Sequence, residues 1–512
     1  MKDIIIIGGG IGGLYTALKC SELGFNVILI EKSARLGGHI YTSKMNNISI
    51  ETGAGRFNSN HVLLLKLINR YDLNIYELVG NKMYIPVLNE RCKNSEVNVY
   101  DMIKKVIKYS AKISEELQKK ITFSQLCEMV LGFEDTKILI EAFGYNAEFL
   151  ITNAYVSLKT FSEDFTNKYK YYGCVEGFST LVEKIEKDLS EKSNVKIYKD
   201  TLITSYAKNK DDTYILETSN SKFKANYLIF ALPKHALLEI PLFNNYAKAL
   251  FDTVLPISLN RIYAQYAKPW FKDISKFTTD LQLRQFIPIN KENGIVMVSY
   301  SDLYDADYWK VYADQGNEIL EKQIHRQLKT IFPKKVIPHA VKIESYYWKN
   351  GTHTWIPGVD PLEVCKELQN LFPNVAIVGE AYSMRQGWIE GALESVESIL
   401  PKLYKATGGG NYKSWFQKRK MISKEILEDE FKRLYPDVKW VLISLDGENK
   451  KRIVNVTEWM FNHPGGAQYF IDNMYKDITK LFTHNAMHYN NSILKDHVMK
   501  NVQKYTIGYV TV

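Results

Sequence analysis

The chain has 512 residues, of which 46% are hydrophobic and 24% charged, and a formal net charge of +9. This length is enough for two or three domains, each with its own core. The absence of a run of about eighteen apolar residues argues against a membrane span, and the absence of a basic module with interleaved aromatics argues against nucleic-acid binding.

The first forty residues have the order of elements that a dinucleotide site requires. An apolar strand, Ile4–Ile7, runs into the glycine-rich turn Gly8–Gly13, a helical pattern follows, and a second apolar strand, Val27–Ile30, ends at Glu31. Between two strands, and followed by an acid at this distance, a GxGxxG turn is a specific signal. The candidate nucleotide-binding residues here are Gly8, Gly10, Gly12, Gly13, Glu31 and Lys32.

The glycines of this turn have separate tasks. Gly8 permits the tight turn, Gly10 lets the backbone approach a pyrophosphate, and Gly13 lets the helix pack closely on the strand. The N-H groups at the start of the helix then face the phosphates, while Glu31 can accept hydrogen bonds from ribose hydroxyls.

Two further glycine segments, 36–42 and 51–57, follow the second strand. With the first turn they resemble the FAD-dependent amine oxidase superfamily, which includes monoamine, polyamine and L-amino-acid oxidases. The resemblance implies that these segments wrap FAD, and His39 stands where the family usually has arginine. The residues that it places on the cofactor are Gly37, Gly38, His39, Gly53, Ala54, Gly55 and Arg56.

A strand followed by Gly379 and Glu380, and the segment 387–392 beyond it, resemble the closing flavin motif of the same family. This resemblance implies that Gly379, Glu380, Trp388 and Ile389 contact FAD. It spans residues 1 to about 403. The fold class that it implies is α/β, a Rossmann-like FAD-binding domain with an inserted mixed α+β substrate domain. The insertions are about 61–170, with a mostly helical pattern, and about 235–350, in which residues 255–350 have strand-like spacing.

The family resemblance also supplies candidate catalytic residues. The family usually places a lysine beside the flavin, and the segment 268–270 sets Arg261 at that position. Arginine stays protonated and cannot act as a base. Trp388 and His353 are the expected aromatic walls of the substrate site. Thr352 stands where monoamine oxidases carry the cysteine that bonds to FAD, so FAD is expected to be non-covalent.

Arg56 is the residue most informative about the substrate. In L-amino-acid oxidases an arginine after the Gly-Ala segment pairs with the substrate carboxylate, and a guanidinium suits that task by its bidentate geometry. Alternatively, Arg56 binds an FAD phosphate or a structural acid.

A glycine-rich connector, 404–414, precedes a second module, 415–512. Its His463-Pro464-Gly465-Gly466 motif and its closing strand resemble cytochrome b5, a small α+β domain. That family holds haem b between two histidines, with no open axial position. The resemblance implies His463 as the first iron ligand and His488 as the second, with His484 as the alternative.

The leading hypothesis is an oxidoreductase that removes a hydride from an amine or amino acid to FAD and passes electrons to the fused haem, then to an acceptor protein or O2. The alternatives are a flavoenzyme like the desaturases or protoporphyrinogen oxidase, and a flavin and haem electron carrier without catalysis. Five scattered cysteines and the absence of a leader-like segment predict a cytoplasmic protein, or a virion protein if the source is a giant virus.

Overall fold

The computed structural model describes residues 2–78, 83–92, 97–163, 169–240, 243, 247–369, 371–405, 421–435, 438–444, 450–457, 474–480 and 502–511. The chain divides into two compact units, Lys2–Val396 and Glu397–Val512. The division falls within the helix Ile389–Tyr404, and most of the connector predicted at 404–414 lies outside the described residues.

The strands of the described residues are β1 Asp3–Ile7, β2 Asn26–Ile30, β3 Thr42–Met45, β4 Ile48–Glu51, β5 Phe57–Asn58, β6 Ile75–Glu77, β7 Met83–Ile85, β8 Tyr171–Cys174, β9 Val195–Tyr198, β10 Ile203–Lys208, β11 Tyr214–Thr218, β12 Lys222–Ala225, β13 Tyr227–Phe230, β14 Val254–Gln265, β15 Phe277–Thr279, β16 Gln285–Asn290, β17 Ile295–Asp302, β18 Lys342–Trp355, β19 Val375–Ile377, β20 Trp440–Ile443, β21 Lys450–Asn455 and β22 Thr506–Thr511. The helices are Ile11–Glu22, Val62–Arg70, Glu90–Cys92, Val99–Ser110, Glu115–Lys120, Phe123–Leu131, Phe133–Phe143, Ala147–Leu150, Ala154–Glu163, Ser179–Ser190, Lys234–Leu238, Lys248–Phe251, Leu303–Asp314, Asn317–Ile331, Pro361–Gln369, Glu380–Tyr382, Ile389–Tyr404, Lys424–Ile426, Leu427–Phe431 and Lys432–Leu434. None of these helices is long and apolar enough to cross a membrane.

A five-stranded parallel sheet with the order β19-β13-β1-β2-β9 forms the centre of the first unit. Its strand β1 is an unbroken run of isoleucine, with Ile4, Ile5 and Ile6 fully buried, as expected for a parallel strand covered on both faces. The glycine turn therefore lies at the carboxyl edge of the sheet, where ligands bind in open α/β folds. This arrangement confirms the predicted mixed α/β architecture.

The inserted regions form two further layers of the first unit. Helices between Val99 and Glu163 enclose an aromatic core that includes Phe123, Phe149 and Phe161. A six-stranded sheet, β18-β14-β17-β16-β15-β7, carries the long strands β14 and β18 side by side. The prediction of strands over 255–350 was incomplete, because the helices Leu303–Asp314 and Asn317–Ile331 lie within this range and bury their apolar faces against the sheet.

The described part of the second unit contains a three-stranded antiparallel sheet, β20-β21-β22. Its core includes Val441, Ile443, Val454 and Val502. The haem-ligand candidates His463, His484 and His488 lie outside the described residues.

Candidate active site

A cavity of about 830 Å³ lies in the first unit and reaches the carboxyl edge of the parallel sheet. The sequence-predicted residues that line it are Gly8, Gly10, Gly12, Glu31, Lys32, Gly37, Gly38, His39, Gly53, Ala54, Gly55, Arg56, Arg261, His353, Gly379, Glu380, Trp388 and Ile389. The fold thus brings together residues that are up to 381 positions apart, from Gly8 to Ile389.

The glycine turn is shaped both by close packing and by an open face. A Cβ on Gly13 would overlap the carbonyl oxygen of Gly8, and Gly8 itself has a φ of +102°. Gly10 differs, because the nearest atom to a Cβ there is the Cα of Gly38 at 4.0 Å. The helix Ile11–Glu22 begins directly after Gly10 without a side-chain cap, so its first N-H groups are suited to an anion in the cavity.

Glu31 is fixed at the end of β2 by two backbone donors. Its Oε2 accepts from the N-H of Gly9 at 2.7 Å, and its Oε1 accepts from the N-H of Ser33 at 2.9 Å. Each carboxylate oxygen can accept more than one hydrogen bond. Glu31 therefore ties the glycine turn to the second strand and can still accept from a ribose.

The loop after Glu31 is organised by Arg35, which the sequence analysis did not single out. Its guanidinium donates to the carbonyls of Leu36 and Ile40 at 2.9 Å each, and to that of Gly38 at 2.7 Å. His39 in the same loop lies edge-on to Trp348, with ring centroids 5.1 Å apart. Burial lowers the pKa of His39, so this ring is neutral at pH 7 and does not supply the positive charge of the family's arginine.

Glu380 forms a buried hydrogen-bonded junction. Its Oε1 accepts from the Thr352 hydroxyl at 2.6 Å and from the N-H groups of His353 at 3.0 Å and Gly387 at 2.8 Å. Its Oε2 lies 3.0 Å from Nδ1 of His353. Although burial opposes ionisation, the His353 ring and these hydrogen bonds lower the pKa of Glu380 to about 2. Nε2 of His353 is buried without a hydrogen-bond partner among the described residues, so a ligand can satisfy it.

Arg56 lies among aromatic rings. Its guanidinium carbon is 5.8 Å from the ring centre of Tyr145, 5.5 Å from that of Tyr171 and 5.7 Å from that of Trp388, and Nη2 donates to the Tyr145 hydroxyl at 3.2 Å. Within the described residues no carboxylate lies within ion-pair distance of Arg56. Its positive charge is therefore available to an anion.

Trp388 and His353, the expected aromatic walls, both line the cavity and have different neighbours. Trp388 stacks on Tyr171, with centroids 6.4 Å apart and planes 28° apart, and meets His61 edge-on at 4.8 Å. His353 lies near the end of β18, with its Nδ1 3.0 Å from Oε2 of Glu380, which follows β19.

Arg261 lies on β14, opposite Tyr300 of β17 and Tyr346 of β18. Its Nη1 donates to the carbonyl of Glu51 at 2.7 Å, and its Nη2 to the Tyr300 hydroxyl at 3.3 Å. Burial alone would lower the pKa of Arg261, but the neighbouring tyrosines raise it. Arg261 therefore remains a cation.

Residues 11–396 match the family described as flavin containing amine oxidoreductase. The chain belongs to this family. It is accordingly an FAD-dependent oxidoreductase, and the family supports an enzyme rather than a carrier without catalysis.

Relatives of this amine oxidoreductase match it over most of their length. Aplysianin-A of Aplysia kurodai is 22% identical over 510 residues, covering 79% of this chain and 90% of the relative. The Bacillus subtilis protein named "Putative L-amino-acid oxidase YobN" is 21% identical, covering 77% and 93%. The crystal structure named "Putative protoporphyrinogen oxidase", from Exiguobacterium, has a TM-score of 0.61 at 14% identity, covering 79% and 99%. At this identity the structural likeness shows the fold alone.

The cavity suits the FAD that the family uses. The open backbone at Gly10 and the uncapped helix start can receive a pyrophosphate. The buried, unpartnered Nε2 of His353 can hydrogen-bond a polar cofactor atom. Gly10 and His353 both line this cavity.

A buried carboxylate beside this site makes stability depend on pH. Glu390 accepts from the N-H groups of Leu63 and Leu64 at 2.8 Å each, at the start of the helix Val62–Arg70. Burial raises the pKa of Glu390 from 4.5 to about 7. Since the folded pKa exceeds the unfolded one, the contribution of Glu390 to stability is full below pH 4.5 and is lost as the pH rises to about 7.

We therefore expect Glu390→Gln to gain stability relative to the wild type between pH 5 and pH 8, by about 3 kcal/mol in the difference between their free energies of unfolding. Denaturant unfolding of both proteins at the two pH values measures this. If the difference between the free energies of unfolding of the two proteins is the same at pH 5 and pH 8, the buried, proton-binding state of Glu390 is contradicted.

Proposed function

We propose that this amine oxidoreductase oxidises an α-amino acid whose carboxylate binds Arg56. The observation that carries the proposal is the guanidinium of Arg56, which lines the cavity, has aromatic neighbours and has no acid within ion-pair distance among the described residues. Arg56 is only partly exposed, and a cation that is largely removed from water without an anion is costly. A substrate carboxylate supplies that anion with bidentate geometry.

In this proposal FAD, when bound, accepts a hydride from the substrate carbon that bears nitrogen. The chain holds FAD without a covalent bond, because Thr352 offers no thiol and its hydroxyl is bound to Glu380. The proposed cofactor contacts are the glycine turn with Glu31 and Lys32, the loops at 37–39 and 53–55, and the segment Gly379–Ile389. Trp388 and Tyr171 form one wall beside Arg56 and orient the substrate by excluding water from its apolar side.

The products distinguish this proposal from its alternatives. The holoenzyme is incubated with α-amino acids, with the amines that lack only the carboxylate, and with an artificial electron acceptor. We expect ammonia and a 2-oxo acid from an amino acid, with little aldehyde from the matching amine. Turnover of the amines alone would replace the amino-acid proposal. Turnover of a porphyrinogen or polyene instead would favour the protoporphyrinogen oxidase-like or desaturase-like alternative.

We further propose that residues 415–512 form a b5-type haem domain that receives electrons from the flavin in residues 1–403 across the connector 404–414. The support is the His463-Pro464-Gly465-Gly466 motif, together with a separate compact unit that carries a small antiparallel sheet. His463 and His488 are the proposed iron ligands, and His484 is the alternative to His488.

Three alanine variants test the haem proposal in the full chain. After reconstitution with haem b, we expect His463→Ala and His488→Ala to lose the spectrum of six-coordinate haem, while His484→Ala keeps it. If His484→Ala loses this spectrum and His488→Ala keeps it, His484 is the second iron ligand instead of His488. A wild-type chain that binds no haem would contradict the proposal.

A further inference from the structure

Tyr300 occupies an unusual position in the cavity. It lies on β17, lines the cavity, and faces Arg261 across the sheet. Its hydroxyl accepts from Nη2 of Arg261 at 3.3 Å, and the guanidinium of Arg261 lies 4.5 Å from the centre of its ring. On its other side the ring of Tyr145 is 5.2 Å away, edge-on, and the Tyr145 hydroxyl accepts from Arg56. The phenol of Tyr300 therefore contacts the guanidinium of Arg261 directly and is linked to that of Arg56 through Tyr145.

We propose that Tyr300 is the proton acceptor that converts the bound substrate ammonium group into the neutral amine. The inference rests on the proposed function, since it concerns the same substrate. In this step an N-H bond of the ammonium group breaks and the O-H bond of Tyr300 forms, with no change in oxidation state. The neutral amine keeps the nitrogen lone pair that loss of a hydride from the adjacent carbon requires.

The groups around Tyr300 leave it as the residue suited to this task. Arg261 and Arg56 stay protonated at any physiological pH. Tyr263 lies on β14, as Arg261 does. Burial raises the pKa of Tyr145 and that of Tyr263, so both keep their protons. Burial alone would raise the pKa of Tyr300 as well, but the charges of Arg261 and Arg56 and the hydrogen bonds from Arg261 and Tyr145 lower it.

Two acids, Asp302 and Glu51, and one further tyrosine, Tyr346, lie near Tyr300 and Arg261. Asp302, on the same strand, accepts from the N-H groups of Asn146 and Ala147, and burial raises its pKa to about 6. Glu51 binds the N-H of Phe178 and the hydroxyl of Thr42, and burial raises its pKa too. Tyr346 on β18 donates to Glu344 at 2.6 Å. Asp302 lines the cavity as Tyr300 does, but its carboxylate already accepts from two backbone N-H groups. The Tyr300 hydroxyl instead accepts from a cation.

The charges of the site favour proton transfer from the substrate ammonium group to a phenolate beside Arg261. Arg56 would hold the substrate carboxylate, and the substrate ammonium group would then lie in a region that already carries two positive charges. Their repulsion favours release of the ammonium proton. A phenolate at Tyr300 accepts that proton and becomes a neutral hydrogen-bond donor.

The ionisation of Tyr300 is measured first, without substrate. Ultraviolet difference spectra are recorded from about pH 6 to about pH 10, the range below the ordinary tyrosine pKa, for the wild type, Tyr300→Phe and the matched control Tyr145→Phe. We expect one phenol to ionise early in the wild type and this signal to be missing from Tyr300→Phe. In Tyr145→Phe the signal should persist but move to higher pH, because a hydrogen bond that lowers the pKa of Tyr300 is lost. The same early ionisation in Tyr300→Phe would overturn the proposal.

The pH dependence of anaerobic flavin reduction is measured second. In the wild type we expect the rate to fall on the acid side with the pKa found for Tyr300. In Tyr300→Phe the rate at neutral pH should fall by about 10²- to 10⁴-fold and recover only where the free substrate amine loses its own proton. A Tyr300→Phe profile that keeps the wild-type acid limb would overturn the proposal.

A second route keeps the test decisive if Tyr300→Phe does not fold. Uniform replacement of tyrosine by 3-fluorotyrosine lowers phenol pKa values, so the acid limb of the wild type should move to lower pH, and an unmoved limb overturns the proposal. If no amino acid or amine reduces the flavin although Tyr300 ionises early, the proposed function fails and the proton-acceptor role is overturned with it. If the flavin is reduced but Tyr300 does not ionise early, the proposed function stands and this inference alone is overturned.

Discussion

Gly10→Ala is expected to leave the protein folded and to weaken FAD binding by about 10- to 100-fold. A Cβ at this position meets no protein atom closer than 4.0 Å, and the φ of −68° suits any residue, so the cost to folding is that of replacing a glycine N-cap, below about 1 kcal/mol. The same Cβ points at the open face that the pyrophosphate is proposed to occupy. Titration of apoprotein with FAD, followed by flavin fluorescence, measures the affinity.

Gly13→Ala is the matched control for this experiment. The added Cβ would overlap the carbonyl of Gly8 within the turn, and backbone cannot yield as a flexible side chain can. We expect a marked drop in the unfolding temperature of the apoprotein, which Gly10→Ala does not show. Unchanged FAD affinity in a folded Gly10→Ala protein would show that the cofactor does not approach this backbone.

Arg56→Ala is expected to raise the KM for an α-amino acid by about 100-fold or more. The physical reason is loss of the bidentate, charge-assisted hydrogen bonds to the substrate carboxylate in a buried aromatic setting. The KM for amines that lack the carboxylate should change little, since they make no such contact. Steady-state kinetics on each amino acid and its matching amine separate the two effects.

Arg56→Lys is the matched variant for charge. It keeps the positive charge but not the planar fork, so we expect a KM for the amino acid between those of the wild type and Arg56→Ala. An equal loss for amino acids and amines in both variants would contradict carboxylate binding and assign Arg56 to packing against Trp388.

The cofactor half of the cavity was predictable from the sequence because its residues follow strands of one parallel sheet. The glycine turn and Gly379 come directly after β1 and β19, and the carboxyl ends of parallel strands meet at one edge. The pattern around each strand is therefore enough to place them together, although Gly13 and Gly379 are 366 positions apart.

The substrate half was not predictable in the same way. Tyr145 follows a helix of the first insertion and Tyr300 lies in a strand of the second, and neither stands in a motif. They meet only because β14 pairs with β17 and because helical and sheet insertions pack against each other. The chain contains 34 tyrosines, so residue type alone could not select these two.

Arg35 shows a third situation, in which a local signal was present but ambiguous. It directly precedes the segment 36–42, and a guanidinium there can satisfy the carbonyls of a glycine loop, as its three hydrogen bonds to Leu36, Gly38 and Ile40 show. On sequence alone the same residue fits a solvent-exposed charge equally well.

An anaerobic absorbance spectrum of the purified full chain tests most directly the proposal that an amino acid reduces FAD in this cavity. The spectrum is recorded with bound FAD before and after addition of a pool of α-amino acids, and again with the matching amines. We predict that the amino acids bleach the flavin band while the amines act far more weakly. A flavin band that neither pool changes would contradict the account.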